Sequence, residues 1–144
     1  VNALRWVGAL LLVVLAGGCA PTTRPSPISD EVTITFHYSH FEPREVQVPA
    51  GVPVRIALVN DDPIGHEWIV GPEAVHAVHR SGTDPVHDSR PDEVTVPAYQ
   101  TRITTLTFDK PGNYAYICHL PGHEAYGMTG TLAVVSQPPR FATR

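Results

Sequence analysis

Residues 118–128 read C-H-L-P-G-H-E-A-Y-G-M, so one short loop holds a thiol, two imidazoles and a thioether. Cys118 ends the run Y114-A-Y-I-C118, whose alternation has the period of a strand. Leu120, Pro121 and Gly122 then turn the chain; His123 follows five residues after Cys118, and Met128 five after that. A strand end fixes the sulfur, and the turn brings an imidazole and a thioether beside it. These are ligands for a transition metal. A fourth ligand has to come from elsewhere, and His66 is the candidate: it opens the strand H66-E-W-I-V70 directly after the loop N60-D-D-P-I-G65. One Cys, two His and a weak, distant Met make the donor set of a blue-copper electron-transfer site, so the implied cofactor is a single type 1 copper ion.

Other chemistries fit these residues less well. Closed structural zinc sites use Cys and His, and a thioether is a poor zinc ligand. A Cys-His hydrolase would need an oxyanion hole, and here the histidine shares the loop of the thiol. A buried structural Cys118 and a gap-filling Met128 are the ordinary alternatives. No basic run points to nucleic acid, and a net charge of −4 says little about partners.

The elements that must position these ligands read as β-strands. Val32–Tyr38, Glu45–Val48, Pro53–Asn60, His66–Val70, Glu93–Val96, Thr101–Phe108, Tyr114–Cys118 and Met128–Ser136 are short, rich in β-branched and aromatic residues, and separated by turn signals such as P49-A-G51 and D109-K-P-G-N113. Such a series predicts an all-β sandwich or small barrel. Tyr114 and Tyr116 share the alternation of Cys118 and are expected to pack in the core. Gly71–Asp92 stands apart as a long excursion holding His76, His79 and His87. It is expected to be a solvated loop with one helical turn near Pro72–His76, and a second metal site there is the lesser alternative. His119 is expected to point away from Cys118 by strand alternation, as an exposed or structural residue.

The pattern C118-x4-H123-x4-M128, with His66 opening a strand upstream, resembles the cupredoxins, most closely the rusticyanin-like and plastocyanin-like single domains. The resemblance covers about Val32–Ser136. It implies a Greek-key β-sandwich with copper at one end, His66, Cys118 and His123 in a trigonal plane and Met128 axial. It also implies a weak contact from the Gly65 carbonyl and an apolar wall for which Ile64, Leu120 and Pro121 are available. Glu67 departs from the family pattern, which places Asn or Ser after the first His to tie the ligand loops together; Asn60 is the candidate substitute. Cys118-His119 also resembles the last domain of multicopper oxidases, but the flanking His before the Cys is Ile117 here, and the H-x-H pairs of those enzymes have no counterpart in this chain.

The N-terminal residues read as a targeting segment. Arg5 precedes the apolar run Val7–Ala16, too short for a bilayer span of roughly 20 residues and proportioned as an export signal. L15-A-G-G-C19 resembles a lipobox, which implies a lipid anchor on Cys19; ordinary secretion is the alternative. Residues 20–29 form a proline-rich tether, 30–137 the folded domain and 138–144 a tail. With Cys19 lipidated or removed, Cys118 is the single thiol of an exported domain. The expectation is a monomeric, extracytoplasmic, non-enzymatic electron carrier whose redox partners dock near His123. A copper storage or delivery lipoprotein, a copper-free binding module and an enzyme subunit are the competing readings.

Overall fold

A computed structural model describes residues 28–82 and 90–136. In chain order the first strands are β1 (Glu31–His37), β2 (His40–Glu42), β3 (Glu45–Pro49), β4 (Pro53–Asn60) and β5 (His66–Gly71). Helix α1 (Glu73–Ser81) follows, then β6 (Glu93–Val96), β7 (Thr101–Thr107), β8 (Gly112–Ile117) and β9 (Thr129–Val135). One sheet runs β2-β1-β4-β7 and the other β3-β9-β8-β5-β6. All eight expected strands are present, as a two-sheet sandwich. The export-type segment 1–19, most of the tether, His87 and the tail 138–144 lie outside the described residues. Among those described, no helix is long and apolar enough to cross a membrane.

Alternation writes the core. Val32, Ile34 and Phe36 of β1 face inward, and in the parallel pairing of β1 with β4 they sit opposite Ile56, Leu58 and Asn60. Val46 and Val48 of β3 pair in parallel with Leu132 and Val134 of β9, all four buried. Ile28 already bridges to Gln47, two residues before the expected start of the domain.

Two elements depart from expectation. β2 pairs with β1 through the two-residue turn Tyr38-Ser39, where both residues have positive φ (50° and 56°). That turn is usually signalled by Asn-Gly or Asp-Gly, and Tyr-Ser carries no such signal. The excursion after β5 is not a solvated loop over its first half. It forms a nine-residue helix that lies on β5, rather than one turn. Its buried stripe includes His76 and His79, so a search for apolar periodicity sees little. Its end signals are legible in retrospect: Pro72 and Glu73 at the start, Gly82 in the left-handed region at the end. Covered by α1 on one face and the other sheet on the opposite face, β5 is buried along its whole length.

Tyr116 of β8 ties β2 and the segment after it to the second sheet. Its ring is fully buried against Phe41, and its hydroxyl donates to the Pro43 carbonyl at 2.7 Å. Gly130 passes beneath it: a Cβ there would stand 2.2 Å from the ring. Gly130→Ala should therefore destabilise the domain by about 1–3 kcal/mol. Urea unfolding should show a lower midpoint with unchanged slope, and an unchanged midpoint would mean that the ring has room to move.

Candidate metal centre

Three elements converge at one end of the sandwich. His66 is the first residue of β5, and Cys118 immediately follows β8. His123 sits on the turn that leads into β9. The loop is held by its own backbone: His123 N–H donates to Leu120 O (3.0 Å), Met128 N–H to His123 O (3.0 Å) and Cys118 N–H to Met128 O (3.2 Å). Gly122 and Gly127, at φ 85° and 93°, supply the left-handed turns this path requires.

The ligand atoms face one another. His66 Nδ1 stands 3.2 Å from His123 Nδ1, and Cys118 Sγ 3.3 Å from the same His123 nitrogen. One donor atom from each of the three residues lies within 4.8 Å of the other two. Met128 is fully buried in the same core cluster as Cys118. The expected site residues His66, Cys118, His123 and Met128 thus share one end of the fold. The protonation pattern fits a metal. His66 Nε2 donates to the Asp62 carboxylate at 2.8 Å, which leaves the Nδ1 lone pair aimed at the common point. Burial, aided by the neighbouring His66, holds His123 below the ordinary imidazole range. Burial pushes the Cys118 thiol up against the opposing pull of the Glu67 and Leu120 N–H groups. A buried thiol beside two imidazole lone pairs is a donor set that a cation completes by displacing the thiol proton.

Asp62 has no counterpart in the sequence reading. Its oxygens accept from the Tyr38 and Ser39 N–H groups, at 2.7 Å each, as well as from His66. Burial alone would raise its pKa, but those backbone hydrogen bonds and His66 outweigh it, so the carboxyl sits below its usual value. One carboxylate therefore holds the left-handed β1–β2 turn and orients a metal ligand. The signal available was its place four residues before His66. Phe36, edge-on to His66 with centroids 5.9 Å apart, was also not anticipated as part of the site.

The loop ties differ from the family expectation. Asn60 does serve, but it braces the first-ligand loop: its amide donates to the carbonyls of Ile64, Val96 and Pro97, and its oxygen accepts from Asp62 N–H. The link to the thiol comes from Glu67, through its backbone: the N–H points at Cys118 Sγ at 3.4 Å. Main-chain geometry makes that bond whatever the side chain. Of the expected apolar wall, Leu120 packs on the core, whereas Ile64 and Pro121 are exposed at the rim.

Of the remaining histidines, His76 and His79 are buried rather than solvated, and His119 takes the structural of its two expected roles. Its side chain is 5% exposed, its Nε2 lies 3.0 Å from His76 Nδ1, and its ring stacks on His79. Burial, with His76, His79 and Arg80 nearby, outweighs Glu124 and pulls His119 down to about 4. Arg80 of α1 clasps Glu124 at 2.6–3.0 Å, so the helix is tied to the residue following His123.

Comparison with known proteins agrees with this geometry. The profile of the copper-binding plastocyanin/azurin family matches residues 30–135. The copper-resistant cuproprotein CopI of Pseudomonas aeruginosa is 27% identical over 139 residues, covering 74% of this chain and 76% of that protein. Auracyanin-B of Chloroflexus aurantiacus is 31% identical over 109 residues, covering 65% of this chain and 46% of its own length. Among solved structures, reduced auracyanin of Roseiflexus castenholzii superposes with a TM-score of 0.65 at 22% identity, over 76% of this chain and 99% of that one, a likeness of fold. Auracyanin A of Chloroflexus aurantiacus gives 0.58 at 25%, over 76% and 100%.

The Asp62 geometry carries a prediction. Asp62→Asn keeps the shape and removes a negative charge beside His66, so it should weaken Cu(II) binding by roughly 10- to 100-fold and raise the reduction potential. Chelator competition and a redox titration measure the two effects. An unchanged potential would show that the carboxylate serves only the turn.

Proposed function

This chain belongs to the plastocyanin/azurin family of copper-binding proteins, and from that premise we propose that it is an exported type 1 copper protein carrying single electrons between redox partners. Copper supplies a one-electron couple when bound. The chain's own residues supply the rest. His66, Cys118, His123 and Met128 would hold the ion, with the Gly65 carbonyl as the candidate for a further weak donor. The observation that carries the reading is the convergence of the His66, Cys118 and His123 donor atoms on a loop held by main-chain hydrogen bonds. Ligands fixed in this way change position little between oxidation states, and little reorganisation means fast transfer.

His123 is the least buried of the three convergent ligands. Its loop carries the exposed Tyr126, and Ile64 is exposed on the first-ligand loop. In this reading a partner docks over that rim through a small, transient interface, and the protein catalyses no reaction of its own. The reading further places a monomer outside the cytoplasm, held at a membrane by a lipid on Cys19.

The name of the Pseudomonas relative, a copper-resistant cuproprotein, favours a second reading: handling or delivery of the ion. Two measurements separate the readings. Cu(II) added to the metal-free protein should give an intense visible band that Cys118→Ser abolishes; a colourless parent would overturn both. An electron carrier should then cycle reversibly and keep its metal against a chelator, whereas a delivery protein should release it.

A further inference from the structure

We propose that His76 and His119 form a second transition-metal site, separate from the first and built by helix α1 against the segment that follows β8. This goes beyond the electron-carrier reading and does not rest on it. His76 Nδ1 and His119 Nε2 stand 3.0 Å apart. Two nitrogens bound to one ion at about 2.0–2.1 Å are about 2.9 Å apart at a right angle and about 3.4 Å apart at the tetrahedral angle. The spacing falls within that window. The first centre shows the same signature, with its two imidazole nitrogens at 3.2 Å.

The outer nitrogens are arranged as those of metal-bound histidines usually are, toward a carbonyl or a carboxylate. His76 Nε2 lies 3.2 Å from Ala115 O, which can only accept, so that nitrogen carries the proton and the Nδ1 lone pair points inward. His119 Nδ1 lies 3.5 Å from Glu124 Oε2. With both rings neutral, neither position of the His119 proton suits both of its neighbours. If His119 carries its proton on Nδ1, two lone pairs meet at the 3.0 Å contact. If it carries the proton on Nε2, the Nδ1 lone pair faces a carboxylate. A metal ion at the meeting point relieves this conflict without moving either ring.

The ligand class follows from the donors. Two imidazoles suit Cu(II), Zn(II) or Ni(II), with copper bound most tightly. Two protein ligands leave coordination positions open, so binding should be weaker than at the first centre. His79, stacked on His119 with centroids 5.3 Å apart, is the third imidazole of the cluster. Because His119 directly follows Cys118, one peptide unit joins the two sites.

The test uses the full chain, loaded with one equivalent of copper and reduced. Zn(II) is titrated in, bound metal is counted after gel filtration, and histidine ring resonances are followed by NMR. One further ion per chain is expected, shifting the His76 and His119 rings. His76→Gln and His119→Gln should each weaken that binding roughly 10-fold or more, while the visible band of the Cu(II) form persists. His87→Gln and the double variant His37→Gln/His40→Gln should leave it unchanged. No further zinc bound by the parent, zinc retained by both single variants, or ring shifts confined to other histidines would overturn the proposal. If a variant does not fold, the ring shifts of the parent decide. A parent without a visible band that still shifts His76 and His119 would sink the blue-copper reading and leave this one standing.

Discussion

The Cys118 sulfur is gripped from two directions, and the whole metal end depends on that grip. Its own N–H is bound to Met128 O, which closes the loop, and its Sγ receives the Glu67 N–H from the neighbouring strand β5. Both partners are main-chain groups set by pairing within one sheet. A ligand positioned by backbone cannot relax toward the geometry an ion would choose for itself. The three donor atoms face one another at a buried point beside the Asp62 carboxylate, a donor set that a cation completes.

Around that grip the fold adds braces of different strength. Asn60 spends its amide on three carbonyls and is nearly fully buried, so removing it would strand several polar groups at once. Asp62 acts through charge as well as geometry. The Arg80–Glu124 contact is partly exposed, and pairs of that kind contribute about 0–1 kcal/mol. Its effect is to orient the ligand loop relative to α1 rather than to stabilise the domain.

Helix α1 is the feature that most distinguishes this chain's site from a bare sandwich. It covers a face of β5 that would otherwise meet solvent, and it does so with imidazoles where valine or leucine would serve. Gly71 permits the contact, since a Cβ there would stand 2.9 Å from Val75. Burying His76 with its ring committed to Ala115 O and His119 makes the helix a polar lid on an apolar strand. Such a lid is costly unless its hydrogen bonds are satisfied. The same residues that complicate the packing make the cluster chemically capable.

The ligand loop was legible in the sequence because its chemistry is local: Cys118, His123 and Met128 lie within eleven residues, and strand alternation places the first of them. Eight strands were legible because a half-buried strand writes its burial in every second residue. His66 required a guess about a distant segment, which the donor set itself demanded. Asp62, the β1–β2 turn and the His76–His119 cluster were decided only by tertiary structure. Asp62 matters because it meets a turn 23 and 24 residues away, and a carboxylate in a loop carries no mark of its future partner. The Tyr38-Ser39 turn is held from outside, so its own residues do not announce it. His76 and His119 are 43 positions apart, and the helix that joins them hides its amphipathicity behind polar side chains. A sequence records the pattern of burial along each element; which buried polar group meets which is fixed only when the elements pack.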